Sequence, residues 1–285
     1  MISIQREVSL LPYNTFGVAA TASFLVESDN VSELADYVRS LSDPSSVILL
    51  GGGSNTLFVS ERCGTVVRPV MKGIELTGET DGHVLLRVGA GEIWDDFVKW
   101  CVERNFSGVE NLSYIPGTAG ACPVQNIGAY GSEAKEVIES VEAIEMLTGK
   151  TVVLSNNQCR FEYRDSIFKN NRGKYIITAV NFRLSKTFVP NVKYGNVQLE
   201  LVRDVHITIE SVRKAIIKIR RRKLPDPSKT GNAGSFFKNP AIDRKKSEEI
   251  KEIDKTRLYI QYRPNISKFQ RHGLCQRFHA VELYD

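Results

Sequence analysis

Between Ser107 and Gly131 the chain is rich in glycine, asparagine, proline and tyrosine and shows almost no hydrophobic period. Irregular segments of this length inside a compact domain usually have a job, such as a binding loop or a lid. The segment is flanked by regular structure. Ile93 to Val102 reads as an amphipathic helix containing Trp94, Phe97 and Trp100, and Val152–Leu154 and Tyr175–Leu184 read as strands on β-branched and aromatic content. The second half of the segment, Ile115-Pro-Gly-Thr-Ala-Gly-Ala-Cys-Pro-Val-Gln-Asn-Ile-Gly-Ala-Tyr-Gly131, interleaves prolines and apolar residues too regularly for a floppy glycine loop. Its small residues permit close approach to a flat ligand. Gln125 and Asn126 can hydrogen-bond amide-like ring edges.

The remaining elements bound the fold class. Val31–Val38 has helical spacing, with Asp29 or Asn30 available as a cap. Val47–Leu50 is a short apolar run ending in glycines, and Leu50 to Phe58 reads as strand, glycine turn, strand. Val84–Val88 is a further strand, and Ser211–Lys223 a basic amphipathic helix stopped by Pro225. Helices and strands in this mixed order predict α+β architecture in two domains, with a boundary near residues 65–70. At 285 residues, 42% hydrophobic and 25% charged, the chain has room for two domains and part of a third. A net charge of +5 suits phosphorylated small molecules as well as nucleic acid and decides little.

Four more clusters carry chemistry. Gly51-Gly52-Gly53-Ser54-Asn55 reads either as a hairpin turn or as an anion-binding nest of backbone amides; it matches neither a P-loop nor a dinucleotide fingerprint. Gly231-Asn-Ala-Gly-Ser-Phe-Phe-Lys-Asn-Pro240 sets a hydroxyl, an ammonium and two carboxamides beside Phe236 and Phe237, rings that want burial; a turn between core elements is the plainer account. Arg160-Phe-Glu-Tyr-Arg-Asp-Ser-Ile-Phe168 fits an edge strand followed by a turn, either as surface ion pairs or with Arg164 holding an anion bidentately. Arg220-Arg-Arg-Lys-Leu-Pro-Asp-Pro227 ends a helix with basic residues, which suits the helix dipole and also a phosphate contact from Lys223. The five cysteines (Cys63, Cys101, Cys122, Cys159, Cys275) form no CxxC pair, which favours reduced thiols in a cytosol. The four histidines show no convincing ligand spacing, so no metal is expected. The sequence shows no signal peptide and no run long enough to span a membrane.

Together these residues resemble the UDP-N-acetylenolpyruvoylglucosamine reductase (MurB) family of bacterial cell-wall synthesis. The matching motifs are Asn14-Thr-Phe-Gly17, Gly51–Asn55, the 115–131 stretch, Tyr163–Lys169, Lys223–Pro227 and Gly231–Pro240, in the family's order. The uninterrupted, tyrosine-bearing middle region is similar to the family's first type. The resemblance implies an α+β, two-domain FAD-binding fold of the vanillyl-alcohol-oxidase/PCMH type plus a truncated third, substrate-binding domain. The corresponding spans are 1–68, 69–222 and 223–285. It implies non-covalent FAD, with Gly51, Gly52, Gly53, Ser54 and Asn55 at the pyrophosphate. Gly117, Thr118, Gly120, Ala121, Gln125, Asn126, Ile127 and Gly128 would line the flavin. The implied reaction is ping-pong: hydride from NADPH passes by way of the flavin to the enol-ether CH2 carbon of UDP-N-acetylglucosamine enolpyruvate. Arg164 would stabilise the enolate-like intermediate and Ser235 would donate the proton. Tyr163, Tyr194, Lys223 and Asn239 would bind substrate. A cytoplasmic monomer without nucleic-acid or membrane partners is implied.

Beyond Pro240 the family pattern is not recognisable. Ile242 to Ile253 suits a charged helix, and from Lys255 onward the helical period fails. The family's late strand and its glutamate have no evident counterpart, since Glu282 lacks a motif around it. The expectations are a changed reading frame or early stop, an unpaired edge in the first domain, weakened FAD binding and poor turnover. The alternative function is therefore a catalytically impaired remnant that still binds FAD or a UDP-sugar. A nucleic-acid binder using Arg213–Lys223 is disfavoured by the mild charge and the lack of a known module.

Overall fold

The computed structural model describes residues 1–194, 196–202 and 204–234, and beyond these the backbone of strands at 241–242, 258–263, 266–271 and 282–284. The first unit contains β1 (Ile2–Ser9), β2 (Thr21–Ser28), α1 (Val31–Ser40), β3 (Ile48–Leu49), β4 (Thr56–Phe58) and β5 (Arg62–Pro69). Its sheet runs β1-β2-β5-β3, with β1 antiparallel to β2 and with β2 and β3 both parallel to β5. Helix α1 starts where Asn30 accepts the Glu33 N–H at 3.1 Å, so Asn30 rather than Asp29 is the cap.

The second unit contains β6 (Ile74–Glu79), β7 (His83–Gly89), α2 (Trp94–Glu103), β8 (Gly128–Ala129), β9 (Ser132–Glu133), β10 (Ile138–Glu145), β11 (Lys150–Ser155), α3 (Ile167–Asn170) and β12 (Tyr175–Ser185). Its main sheet, β11-β10-β12-β7-β6, is antiparallel throughout. The inner face of α2 packs Trp94 and Phe97 against Phe182 of β12, with ring centroids 4.8–5.9 Å apart. Two further helices follow, α4 (Val197–Glu200) and α5 (Ile209–Lys223), the second begun by a reciprocal cap between Thr208 and Ser211. A separate core joins the two units: Val26, Leu34, Val38 and Val67 pack with Ile144, Met146 and Ile176. Burying each such side chain contributes about 1.5–3 kcal/mol, so the sheets are held together by apolar area.

Three expectations are corrected. Gly51–Gly53 closes no hairpin, because β3 pairs with β5 while β4 pairs with β16 (Glu282–Tyr284). Arg160–Phe168 is not an edge strand. Arg160 and Arg164 adopt φ of +48° and +56°, outside the extended strand region; the segment folds as turns, and Ser166 then caps α3. In the tail, β13 (Ala241–Ile242), β14 (Leu258–Arg263) and β15 (Ile266–Arg271) form an antiparallel sheet in the order β13-β15-β14. Strand β16 lies parallel to β4 with Glu282 opposite Thr56, so the expected unpaired edge does not arise. Ile242 sits in β13 rather than opening a helix; the rest of the expected helix, 243–253, lies outside the described residues.

Candidate functional site

The two predicted glycine clusters meet face to face. The loop after β3 carries Gly51–Asn55, and the irregular segment brings Gly117–Gly120 against it. A Cβ added at Gly52 would stand 2.9 Å from the Gly117 Cα, and one at Gly51 would stand 3.1 Å from the Thr118 hydroxyl. Gly53 has φ +62° and its backbone lies so close to Tyr13 that a Cβ would fall 1.8 Å from the Tyr13 carbonyl oxygen. Asn55 donates to the Gln125 carboxamide at 3.2 Å, which links the first loop to the far part of the second.

The second loop is fixed from behind. The Trp94 N–H of α2 donates to Gly117 O at 3.1 Å, and from the loop Ala119 N–H donates to Glu92 O at 2.8 Å and Gly120 N–H to Ala90 O at 2.9 Å. The Trp94 indole donates to Leu112 O at 2.9 Å. Tyr114, just ahead of Ile115, adopts φ +60°, and side chains hold both of its peptide groups. Its N–H donates to Asp95 Oδ1 at 2.5 Å and its carbonyl accepts from Arg220 Nε at 2.9 Å. Asp95 is held in turn by a bidentate pair with Arg213, at 2.6 and 2.9 Å. Helix α5 therefore staples the loop twice, through arginines two turns apart. Burial draws the Arg220 guanidinium below its ordinary value, opposed by Tyr130, Asp95 and Tyr114 beside it. Burial likewise raises the Tyr130 phenol, opposed by Arg220. None of these anchors was legible as a functional residue; the only signal was the dense basic run at the end of α5.

Between the loops and the second sheet lies a hollow of about 190 Å³. Gly51–Asn55, Thr118, Gly120, Ala121, Gln125 and Ile127 line it, with Trp94 at its back. Val47, Leu49, Pro69, Ile176 and Ile177 make an apolar part, while Lys169 and Arg172 bring positive charge. Of the residues expected at the flavin, Gly117, Asn126 and Gly128 are not part of this lining. Asn126 is fully buried, and its carboxamide bonds inside the protein. It donates to Glu162 O at 2.8 Å and Glu133 at 3.2 Å and accepts from Lys135 N–H at 2.9 Å. Burial pushes the Cys122 thiol, which also lines the hollow, well above its usual value, so it is an inert apolar wall there.

Arg164 reaches back to donate to the Gly128 carbonyl, and its guanidinium stacks over the Tyr163 ring at 5.2 Å. No salt bridge from Arg164 forms among the described residues; Glu133, also beside Gly128, pairs with Lys135. Tyr194 lies against Gly131 and near the Tyr130 phenol. Lys223 is the exposed last residue of α5. Ser235 and Asn239 lie outside the described residues, but the segment leading to Ser235 is placed: Asn232 is tied to Thr15. Among the described residues no group of His, Cys, Asp and Glu could hold a metal ion, and no helix is long and apolar enough to cross a membrane.

Comparison with known proteins resolves the family. Residues 22–155 match the FAD-binding domain family. The UDP-N-acetylenolpyruvoylglucosamine reductase of Bacteroides fragilis is 43% identical over 267 residues, covering 90% of this chain and 80% of that protein. The Neisseria gonorrhoeae protein of the same name is 47% identical over 255 residues, covering 88% and 74%. The chain belongs to the UDP-N-acetylenolpyruvoylglucosamine reductase family. A solved member from Thermus caldophilus superposes with a TM-score of 0.64 at 22% identity, over 97% of this chain and 91% of that one, which shows the shared α+β fold. So broad an alignment with family members lends no support to the remnant reading. The hollow fits the family's cofactor in kind: two glycine-rich loops in close contact, nearby cations and an apolar slot.

Proposed function

We propose that this protein is the FAD-dependent reductase that converts UDP-N-acetylglucosamine enolpyruvate to UDP-N-acetylmuramate, with NADPH as hydride donor, in the cytoplasm. The observation that carries the reading is the meeting of Gly51–Asn55 with Gly117–Gln125 around one hollow. Gly51 to Asn55 would hold the diphosphate by backbone amides, and Thr118, Gly120, Ala121 and Gln125 would hold the ring. FAD, when bound, supplies hydride transfer; the protein supplies orientation and electrostatics.

The chain's own residues account for the rest. Hydride addition to the enol-ether CH2 leaves negative charge on the neighbouring carbon and its carboxylate. Arg164, without a salt bridge among the described residues and held by Gly128 and Tyr163, is suited to meet that charge. A proton must then reach the carbon, and the Ser235 hydroxyl is the proposed donor, acting by position on a strongly basic enolate. Tyr194 and Lys223, with Asn239, are proposed to hold the UDP diphosphate, and Tyr163 to bind the substrate beside Arg164.

The visible spectrum of the FAD-loaded chain under anaerobic conditions tests this. Stoichiometric NADPH should bleach the flavin, and UDP-N-acetylglucosamine enolpyruvate should restore its colour. A chain that retains FAD but stays bleached in the presence of the sugar nucleotide overturns the assignment of substrate.

A further inference from the structure

The segment that leads into Ser235 is not free to choose its position. Asn232 is 7% exposed and lies at the centre of a knot. Its N–H donates to Thr15 O at 2.9 Å, and its carbonyl accepts from the Thr15 hydroxyl at 2.7 Å. Its side chain donates to Pro225 O at 3.1 Å and Thr230 O at 2.9 Å and accepts from Gly234 N–H at 3.3 Å. Thr15 faces the other way as well, donating its backbone N–H to Gly53 O at 3.1 Å. Next to this bridge Gly231 lies so close to Phe16 that a Cβ would fall 1.9 Å from the Phe16 carbonyl oxygen. Asn14 braces the turn itself, donating to Leu10 O and Val18 O and accepting from Val18 N–H.

We propose that Thr15 is a positioning residue: through Asn232 it fixes the segment running into Ser235 against the glycine loop at Gly53. The proposal rests on the functional reading above for what Ser235 does, though not for the anchor itself. The chemistry gives the reason such an anchor is needed. The hydride and the proton must be delivered to adjacent carbons of one substrate, and a displacement of about 1 Å at either side can cost about a hundredfold in rate. The hydride side is set by the loops around Gly53; residues 232–234 lead directly into the serine proposed for the other side. In this structure one threonine touches both, with its N–H on the first and its carbonyl and hydroxyl on the second. Asn232 carries the same position on to Pro225, two residues past Lys223, so the phosphate-binding end of α5 is referred to the same point.

Thr15→Val tests the anchor cleanly, since it keeps the shape and the backbone bonds and deletes only the hydroxyl. In flavin-free protein, amide exchange at Asn232 and Gly234 should quicken about tenfold, the effect of losing one buried hydrogen bond. FAD affinity should stay within about twofold, because the Thr15 N–H to Gly53 bond is untouched. Reduction by NADPH should likewise be unchanged, whereas kcat for the sugar nucleotide should fall about tenfold with a smaller change in KM. Thr15→Ser should restore both exchange and kcat. Unchanged exchange in Thr15→Val, or failure of Thr15→Ser to rescue, overturns the proposal. Should Thr15→Val not fold, Thr15→Ala decides, since it removes the same hydroxyl without adding bulk and should speed exchange at Asn232 and Gly234 in the same way. A wild-type chain that never reoxidises with the sugar nucleotide overturns the functional reading instead, and the exchange measurements then decide the anchor alone.

Discussion

Replacing Gly52 by alanine tests whether the contact between the two glycine loops is what makes the cofactor site. The added Cβ would stand 2.9 Å from the Gly117 Cα, and the obstacle is backbone rather than a movable side chain. Carbon atoms sit comfortably at about 3.5–4.0 Å, so the loops must part by roughly 0.6–1.1 Å. Gly52 does not have a positive φ, so no dihedral penalty confuses the result. Overpacking of this kind costs about 1–3 kcal/mol. Part falls on the fold and part on the site, because Gly117 is tied to Trp94 and cannot simply retreat. At 1.4 kcal/mol per factor of ten, FAD affinity should weaken by about tenfold or more. Titration by flavin fluorescence, with melting of the flavin-free chain alongside, reads both shares. Gly64→Ala is the control: it sits in β5 with nothing within 4 Å of the added atom and should change neither quantity. If Gly52→Ala binds FAD within twofold of wild type, the facing loops are not the cradle and the reasoning fails.

Arg164→Lys should leave reduction by NADPH unchanged and slow the reaction with the sugar nucleotide by about 10²–10³-fold, since one ammonium replaces a fork anchored at Gly128; stopped-flow separates the two halves. Asn126→Ala should cost about 2–4 kcal/mol in urea unfolding, because it strands the Glu162 carbonyl and the Lys135 N–H in a buried site. Glu142, on β10, is bound bidentately by Arg87 of β7 at 2.7–2.9 Å and by Asn181 of β12 at 3.2 Å. Burial raises its pKa, but the bonds to Arg87 and Asn181 outweigh burial and hold it below its ordinary value. Its stabilisation is therefore complete above the unfolded carboxylate pKa and is lost as pH falls through the lower folded one. Glu142→Gln should cost about 1 kcal/mol at pH 7 and progressively less as pH falls below the unfolded carboxylate value, read as melting temperature against pH.

The sequence disclosed most where chemistry and local conformation share a cause. Glycines at 51–53 and 117–120 mark both a ligand's approach and the backbone's own requirement, so the residues around the hollow were legible even though the pairing of their flanking strands was not. A strand's neighbour is chosen by contacts distant in sequence: β3 takes β5, and β4 takes β16 from the far end of the chain. No local pattern encodes that. The same limit hid Arg213 and Arg220, whose partners at Asp95 and Tyr114 lie more than a hundred residues away.

Arg160–Phe168 went wrong for a different reason, and the error is informative. Alternating charged and aromatic residues read as a strand, yet two arginines adopt a conformation that non-glycine residues enter only at some cost. The cost is met by neighbours that overdetermine the turn. Glu162 and Asp165 exchange backbone bonds at 3.0 and 3.3 Å, Ser166 donates to Val124 O at 2.5 Å, and Lys169 donates to the Arg164 carbonyl at 3.2 Å. Val124 lines the hollow, so the strained turn is fastened to the wall of the proposed site. A strand would have pointed Arg164 along a sheet edge and left its position to rotamer chance. The left-handed turn instead delivers the guanidinium to Gly128 and the Tyr163 ring, where the proposed reaction would call on it to meet a developing carboxylate charge.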